Sequence, residues 1–224
     1  MGHPETAVGE YPAGSGSRSR ERIVRLLDRL DGNRAFVLLA LFALFVAVAL
    51  VHHVPRGTDD EGGYLSYAQA LIDGRYGSHA PPGEFLHWGP GLPMLLAPFV
   101  AAHLPLELTR IVFGPGLQVL LVWIMWTALT PEVGRRAATV GAMLCAFYWP
   151  AWMALGMVLS EPATAVALTF GLWAWLASRR NGSLANAALS GVALGVATLI
   201  RVEFGWVVVT GLVVSLVLLA LRRN

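Results

Sequence analysis

Long apolar runs separated by short polar loops dominate the chain from residue 35 onward. The runs cover 35–54, 91–104, 110–129, 137–157, 162–177, 184–200 and 204–221. A helix that crosses a membrane needs about 20 mostly apolar residues, and six of these runs approach that length. The exception, 91–104, is shorter and contains Pro93 and Pro98. Its pattern favours a helix at the membrane surface over a crossing helix.

The positions of the arginines test the number of crossings. All 16 basic residues are Arg, and cytoplasmic loops of membrane proteins carry an excess of basic residues. If 91–104 does not cross, the arginine-rich segments share one side: the six arginines before residue 35 and the pairs at 135–136, 179–180 and 222–223. Only single arginines then lie on the other side. The pattern predicts six crossings with both termini in the cytoplasm.

Composition supports the membrane assignment. Hydrophobic residues make up 56% of the 224-residue chain and charged residues only 13%, whereas about 25% of residues in soluble domains are charged. We expect an all-α integral membrane protein with about six transmembrane helices and juxtamembrane helices in the first external loop. The prediction divides the chain into four segments. They are a basic, partly disordered cytoplasmic tail at 1–34, the first transmembrane helix at 35–54, the external loop at 55–109, and transmembrane helices two to six at 110–224.

Two segments carry patterns of their own. Residues 18–33, RSRERIVRLLDRLDGN, alternate arginines with aliphatic residues. They predict either a basic amphipathic helix on an anionic membrane face or a plain positively charged flank of the first crossing. Farther along, Gly191 and Gly195 stand among alanines and predict a close-packed helix seam. The sequence contains no Gly-rich phosphate loop, CxxC or HExxH motif.

The external loop opens with three consecutive acids, Asp59, Asp60 and Glu61. Apolar residues then recur at helical spacing and predict a helix over 61–73 with an apolar stripe, ended by Gly74. Carboxylates at a helix N-terminus are favoured by the helix dipole. The acids therefore indicate either a simple helix start or a general-base or cation site.

Other ionisable residues fall at the external ends of the predicted crossings. They are His87, Glu161, Arg201 and Glu203. Gathered at one face, such groups predict a wet cavity at the membrane surface. Simpler interpretations stay open: Glu161 before Pro162 makes a good helix start, and Arg201 and Glu203, two residues apart, share no helix face and suit snorkelling ends.

Four segments together resemble GT-C type membrane glycosyltransferases, such as protein O-mannosyltransferases and lipid A aminoarabinose transferases. The first match consists of Asp60, Glu61, Tyr64, Ala68, Gly74 and Tyr76. EFLHWGPGLPMLLAPF, LSEPATAVALTFGLWAWLASRR and LANAALSGVALGVATLIRVEFGWVVV follow in the family's order. The resemblance covers roughly residues 35–222, the N-terminal portion of such enzymes.

The resemblance implies roles for individual residues. Asp60 corresponds to the catalytic carboxylate, with Asp59 and Glu61 as alternatives because three adjacent acids leave the register open. Asp60 and Glu161 would hold a divalent cation, Mg or Mn. The donor phosphate would meet His87, Arg201 and Tyr64; relatives often carry Lys where this chain has His87.

The implied activity is transfer of a sugar from a polyprenyl-phosphate donor to a hydroxyl on a protein, lipid or glycan, with inversion at the anomeric carbon. The setting would be the bacterial cytoplasmic membrane, among membrane lipids and without nucleic acid. Because family members usually have further crossings, we expect a truncated enzyme. The alternatives are an inactive GT-C-like scaffold or fragment and, in another class, a lipid-carrier binder or transporter.

Overall fold

The computed structural model describes residues 15–51, 59–76 and 89–223. All regular secondary structure in these ranges is helical, so the predicted all-α class is confirmed. The α-helices are α1 (Ser15–Gly32), α2 (Arg34–Val51), α3 (Asp59–Ile72), α4 (Gly91–Ala101), α5 (Leu106–Ile111), α6 (Leu117–Val133), α7 (Arg135–Ala146), α8 (Trp149–Met153), α9 (Ser160–Asn181), α10 (Leu184–Ile200) and α11 (Glu203–Arg223).

Two of the described helices are long and apolar enough to cross a membrane. One is α2. The other runs continuously over Leu106–Val133, because a π-helical segment at Val112–Gly116 joins α5 to α6. Shorter apolar helices lie at α4 and α10. The structure therefore carries membrane-compatible helices.

The predicted apolar run at 137–157 is not one continuous helix. α7 ends at Ala146, and the chain resumes as the short α8, which has a proline in its first turn. Proline has no N–H to donate, and it clashes with helical backbone before it, so a helix running through Pro150 is disfavoured. With 12 residues, α7 rises only about 18 Å, less than the roughly 30 Å hydrocarbon core of a bilayer.

Two hydrophobic cores hold the helices together. The first core joins α2, α6 and α7 around Phe45, Trp126 and Ala142. The second core joins α3 and α4 to the bundle. It consists of Tyr64 and Ala68 of α3, Leu92 and Leu96 of α4, and Phe113, Val158, Ala163 and Ile200 of the bundle. The helices of the predicted first loop therefore pack onto the bundle and form part of its core.

Three glycines permit backbones to touch. A Cβ on Gly91 would lie 2.6 Å from the Leu199 carbonyl carbon and the Ile200 nitrogen, and one on Gly89 would lie 2.2 Å from the Leu199 oxygen. A Cβ on Gly114, in the π-helical segment, would lie 2.1 Å from the Leu155 oxygen. These positions accept no side chain unless backbone moves.

Arginines from separate segments meet at one end of the bundle, here called the arginine rim. Arg136 of α7 binds Asp28 of α1 through two bonds of 2.8 and 2.9 Å. Arg180 at the end of α9 bonds Glu132 at the end of α6 at 2.5 Å. Arg34, which begins α2, pairs with Asp31 and donates to Thr130 at 3.0 Å. The tail and the arginine pairs at 135–136 and 179–180 thus share one end, as the arrangement of charges predicts, while the side chains of the third pair, 222–223, fall outside the described residues.

Candidate functional site

The acidic motif lies at the opposite end, on α3. This helix begins at Asp59, two residues before the predicted start, and Gly74 follows its end with φ of 67°. The three acids therefore occupy its first turn, where the dipole favours negative charge. Asp60 is exposed. The side chain of Asp59 and all of His87 fall outside the described residues.

Glu61 does not face the solvent as its neighbour does. It exposes 1% of its surface and pairs with Arg110, which exposes 4%; Arg110 Nε lies 2.9 Å from Glu61 Oε1 and Nη2 lies 3.3 Å from Oε2. Adjacent helical residues point about 100° apart, so Asp60 stays outside while Glu61 enters the bundle. Glu61, predicted as an alternative catalytic acid, is instead committed to a buried ion pair.

Tyr64 connects Asp60 with the rest of the site. Its side chain is 95% buried, with 5% exposed, and it lies four residues after Asp60, on the same helix face. Burial raises the pKa of its phenol; a hydrogen bond with Ser160 opposes that rise, and the nearby Asp60 and Glu161 carboxylates add to it. The phenol therefore stays protonated at neutral pH and keeps a proton to donate.

Glu161 and Arg201 form the other half of the site. The Arg201 guanidinium lies 2.8 Å from Glu161 Oε1 and 3.7 Å from Glu203 Oε1. It also contributes to the electrostatics of Tyr64. α3, α9 and α10 thus bring Asp60, Tyr64, Glu161 and Arg201 together, and we call these four residues the acidic site.

The contact between Arg201 and Glu203 corrects an expectation. Residues two apart share no helix face, but Arg201 is the extended residue between α10 and α11, with φ of −134° and ψ of 106°. Helical spacing therefore does not apply to this pair. The backbone break lets Arg201 reach Glu161 on α9 as well as Glu203 on α11.

Local sequence explains how α9 and α10 reach the site. Leu159 is extended, and α9 starts at Ser160, whose carbonyl accepts a 2.8 Å bond from the Thr164 hydroxyl. Pro162 in the first turn suits this helix start because the turn leaves N–H groups unused. At α10, the contact of Gly91 with Ile200 fixes the backbone immediately before Arg201.

A cavity of about 810 Å³ opens beside the acidic site. α6, α7, α8 and α9 enclose it, and Glu161 is one of the few polar groups on its wall; apolar lining residues include Leu121, Met125, Leu144, Met153, Met157 and Ala165. Gln118 also lines it, but its side-chain amide already donates to the Cys145 carbonyl at 3.2 Å. The cavity suits an apolar chain whose polar end lies at Glu161.

The two predicted cation ligands, Asp60 and Glu161, are both carboxylates of the acidic site. No group of three or more His, Cys, Asp or Glu side chains in the part of the chain that the structure describes could hold a metal ion. Asp60 and Glu161 supply two carboxylates, and Glu161 is already bonded to Arg201. Mg²⁺ is commonly held by one or two carboxylates together with water and substrate phosphates, so a divalent cation at these two residues stays a prediction.

Sequence reasoning missed two residues that organise the site. Ser160 hydrogen-bonds Tyr64 and lies 3.4 Å from Glu161 Oε2. No sequence signal marked this role, because a serine at the start of a helix is common. Arg110 had a readable signal, because a lone arginine beside an apolar run needs a carboxylate partner when it is buried. The adjacent acids of α3 were the candidates, and Glu61 is the partner.

Comparison with known proteins adds no relative to this geometry. No family model matches the chain, and no curated protein or solved structure is significantly similar to it. Function is therefore argued from the acidic site and from the apolar cavity that it meets at Glu161.

Proposed function

We propose that this protein is a membrane glycosyltransferase of the GT-C type, which moves a sugar from a polyprenyl-phosphate donor to a hydroxyl acceptor with inversion. The observation that carries the proposal is the meeting of the acidic site with the apolar cavity at Glu161. In this proposal, Asp60 is the base for a hydroxyl, Tyr64 and Arg201 donate hydrogen bonds to a phosphate, and the cavity takes a lipid chain.

The membrane setting is part of the same proposal. Six crossings with both termini in the cytoplasm would put the arginine rim on the cytoplasmic side, as basic residues prefer, and the acidic site on the extracytoplasmic side. Two candidate spans, α2 and Leu106–Val133, support membrane insertion. The other four crossings are part of this proposal. One of them uses α7, which is shorter than the hydrocarbon core.

Asp60 is the proposed general base. It is exposed, and among the described residues it has no ion-pair partner. Its carboxylate takes the proton of the acceptor hydroxyl while that oxygen attacks the anomeric carbon from the face opposite the phosphate. The bond between the anomeric carbon and the phosphate oxygen breaks, and its electron pair leaves with the polyprenyl phosphate. Asp59 remains the alternative base.

The departing phosphate gains negative charge, and Arg201 and Tyr64 are the proposed groups that meet it. Arg201 is already shared by Glu161 and Glu203, but a guanidinium has five N–H donors and serves more than one acceptor. Tyr64 offers a protonated hydroxyl because burial raises its pKa. His87 keeps its predicted role at the phosphate, and a requirement for Mg or Mn stays a prediction of the resemblance, through which no step is drawn.

The test is sugar transfer in membranes that contain the full chain, using a panel of polyprenyl-phosphate sugars. Asp60→Asn should lower the rate by about 10²-fold or more, the usual contribution of a general base. Asp73→Asn is the matched control, because Asp73 lies just beyond the other end of α3 and pairs with Arg75 there. If Asp60→Asn and Asp59→Asn both transfer sugar at the wild-type rate, the proposed base is wrong.

A lipid-carrier binder is the second candidate, and the cavity favours it because binding an apolar chain needs no chemistry. It is distinguished by photo-crosslinking to a polyprenyl phosphate. Crosslinking at the cavity without transfer of any sugar in the panel would favour the binder. An inactive scaffold would give neither crosslinking nor transfer.

A further inference from the structure

We propose that α1 lies on the membrane surface and binds the headgroups of anionic phospholipids. The helix is 18 residues long, and only Asn33 separates it from α2, one of the two candidate crossings. Any bilayer that α2 enters therefore begins within a few ångströms of the end of α1. The inference is independent of the chemistry proposed at the acidic site.

One face of α1 is fixed to the protein. Asp28 bonds Arg136 of α7 and Asp31 pairs with Arg34. Leu30, four residues after Leu26 and on the same side of the helix as Leu26, packs against the first core near the end of α1. These contacts hold the helix in one rotation about its axis. The direction in which its other side chains point is thereby set.

Before Leu30, an apolar edge of α1 is uncovered. Ile23 exposes 59% of its surface and Leu26 exposes 56%, and at three residues apart the two are neighbours on the helix. Leaving large aliphatic side chains in water costs about 25 cal/mol for each Å². Next to a membrane-crossing helix, the acyl boundary of the bilayer is the apolar phase that would take them.

A third face is basic. Arg22, Arg25 and Arg29 follow one another at spacings of three and four residues, so they form one stripe, and all three are exposed. Within the described residues, only Arg25 has a carboxylate near it, Glu21 at 4.0 Å, and that contact is open to solvent. The helix's other acids, Asp28 and Asp31, are turned toward the protein and occupied.

The order of these faces identifies the partner. Going round α1, Leu26 lies between the arginine stripe and Ile23, and the acid face lies beyond Ile23. A flat surface that is apolar below and negatively charged above matches the Ile23–Leu26 edge flanked by arginines. A bilayer containing anionic lipids has that structure, and each basic residue near it gains from the surface potential.

Depth measurements test the geometry. The full chain with Cys145→Ser is reconstituted in vesicles of phosphatidylcholine and phosphatidylglycerol, and a spin label is attached at Ile23→Cys, Leu26→Cys, Arg22→Cys or Arg25→Cys. Labels at 23 and 26 should collide mainly with membrane-dissolved oxygen, and labels at 22 and 25 mainly with a water-soluble nickel chelate. If all four meet the nickel chelate equally, α1 is a plain basic flank and the proposal is wrong.

Lipid selectivity tests the charge. Spin-labelled phosphatidylglycerol should be immobilised around the wild-type protein in preference to phosphatidylcholine, and the triple variant Arg22→Gln, Arg25→Gln, Arg29→Gln should lose that preference. The energy expected for each arginine at an anionic surface corresponds to about fivefold. Arg25→Gln is compared with Arg75→Gln, which removes one exposed arginine next to α3.

Two outcomes would overturn the proposal. One is an equal loss of preference in Arg25→Gln and Arg75→Gln, which would assign the effect to net charge. The other is a spin–spin broadening at residue 26 that grows with protein density in the vesicle, which would mean that a second copy covers this edge. Because the anchoring pair of Asp28 and Arg136 is untouched in every variant, each is expected to stay folded, and thermal melting of the reconstituted protein checks this.

Discussion

The two ends of the helical bundle use the same residue types in opposite ways. At the arginine rim, the Arg136–Asp28 side chains are both about half exposed. At the other end, the Glu61–Arg110 pair is sealed within the bundle. Exposed pairs contribute little because water and salt screen them, whereas a buried pair is costly to break.

This difference indicates how each end is held. The arginine rim gathers segments through several weak contacts, which suits a surface helix such as α1. The acidic site depends on one buried contact beside Asp60 and on backbone contacts at glycine. Its geometry is therefore expected to be sensitive to single substitutions, while the arginine rim tolerates them.

Breaking the buried Glu61–Arg110 pair should have the largest effect, and that effect is on the free energy of unfolding. Arg110→Met removes the guanidinium that faces the buried Glu61 carboxylate, and breaking a buried ion pair from one side should cost about 3–5 kcal/mol of unfolding free energy. Arg136→Gln at the arginine rim should change it by less than about 1 kcal/mol. Unfolding in detergent micelles measures both.

A double variant sharpens that result. Arg110→Met with Glu61→Leu removes both charges and should recover most of the stability, because a buried ion pair is often replaceable by apolar residues. Equal losses in Arg110→Met and Arg136→Gln would contradict the contrast between the two ends.

Releasing Arg201 from Glu161 should have the next largest effect, and the quantity that it changes is the rate of sugar transfer. Glu161→Gln removes the charge from the 2.8 Å contact with Arg201, so the guanidinium shifts toward Glu203. A misplacement of about 1 Å at a reacting centre costs on the order of 10²-fold in rate. Glu132→Gln removes the matching pair with Arg180 at the arginine rim and should leave sugar transfer unchanged. Equal rates in the two variants would exclude Glu161 from the site.

Gly91→Ala tests the backbone contact behind Arg201. The new methyl would lie 2.6 Å from the backbone of Leu199 and Ile200, and relieving such overpacking costs about 1–3 kcal/mol. Gly62→Ala in α3 is the control, since its Cβ would meet nothing within 4 Å among the described residues. That change should stabilise the helix by up to about 1 kcal/mol. Opposite signs in thermal unfolding are expected; destabilisation by both would contradict the close approach at Gly91.

The smallest effect is expected at the Tyr64 hydroxyl. Tyr64→Phe removes one hydrogen bond in the core, worth about 0.5–1.5 kcal/mol, or roughly 2- to 12-fold in rate. Burial and the neighbouring carboxylates raise the phenol's pKa above 10, so the proton is retained at lower pH. The ratio of wild-type to variant rates should therefore stay constant from pH 6 to pH 9. A ratio that falls within this window would show that the phenol ionises there.

Several features followed from the sequence because their causes are local. α3 was expected over 61–73 and occupies Asp59–Ile72, and the apolar segment from residue 91 forms a helix as predicted. Apolar spacing and the glycine stop act within a few residues of chain, so they are readable without tertiary contacts. The sequence also predicted that the N-terminal tail shares one end with the arginine pairs at 135–136 and 179–180, where Arg136 and Arg180 form their ion pairs.

Other features depended on contacts between distant residues. The sequence predicted the close-packed seam at Gly191 and Gly195, but a Cβ at either would meet no atom of the described residues within 4 Å. The closest backbone approaches among the described glycines instead involve Gly89, Gly91 and Gly114. Which glycine touches another backbone is decided by how helices cross, and no local pattern records that.

By itself, the sequence determined an all-helical chain with apolar helices and two charged ends, because hydropathy and helical periodicity are properties of short segments. Only the tertiary structure decided which of two adjacent acids is exposed and which is buried. Asp60 and Glu61 have nearly the same intrinsic character, but the packing of α3 buries one against Arg110 and leaves the other beside Tyr64. Burial is a property of the assembled bundle, and it separates two residues that the sequence left equivalent.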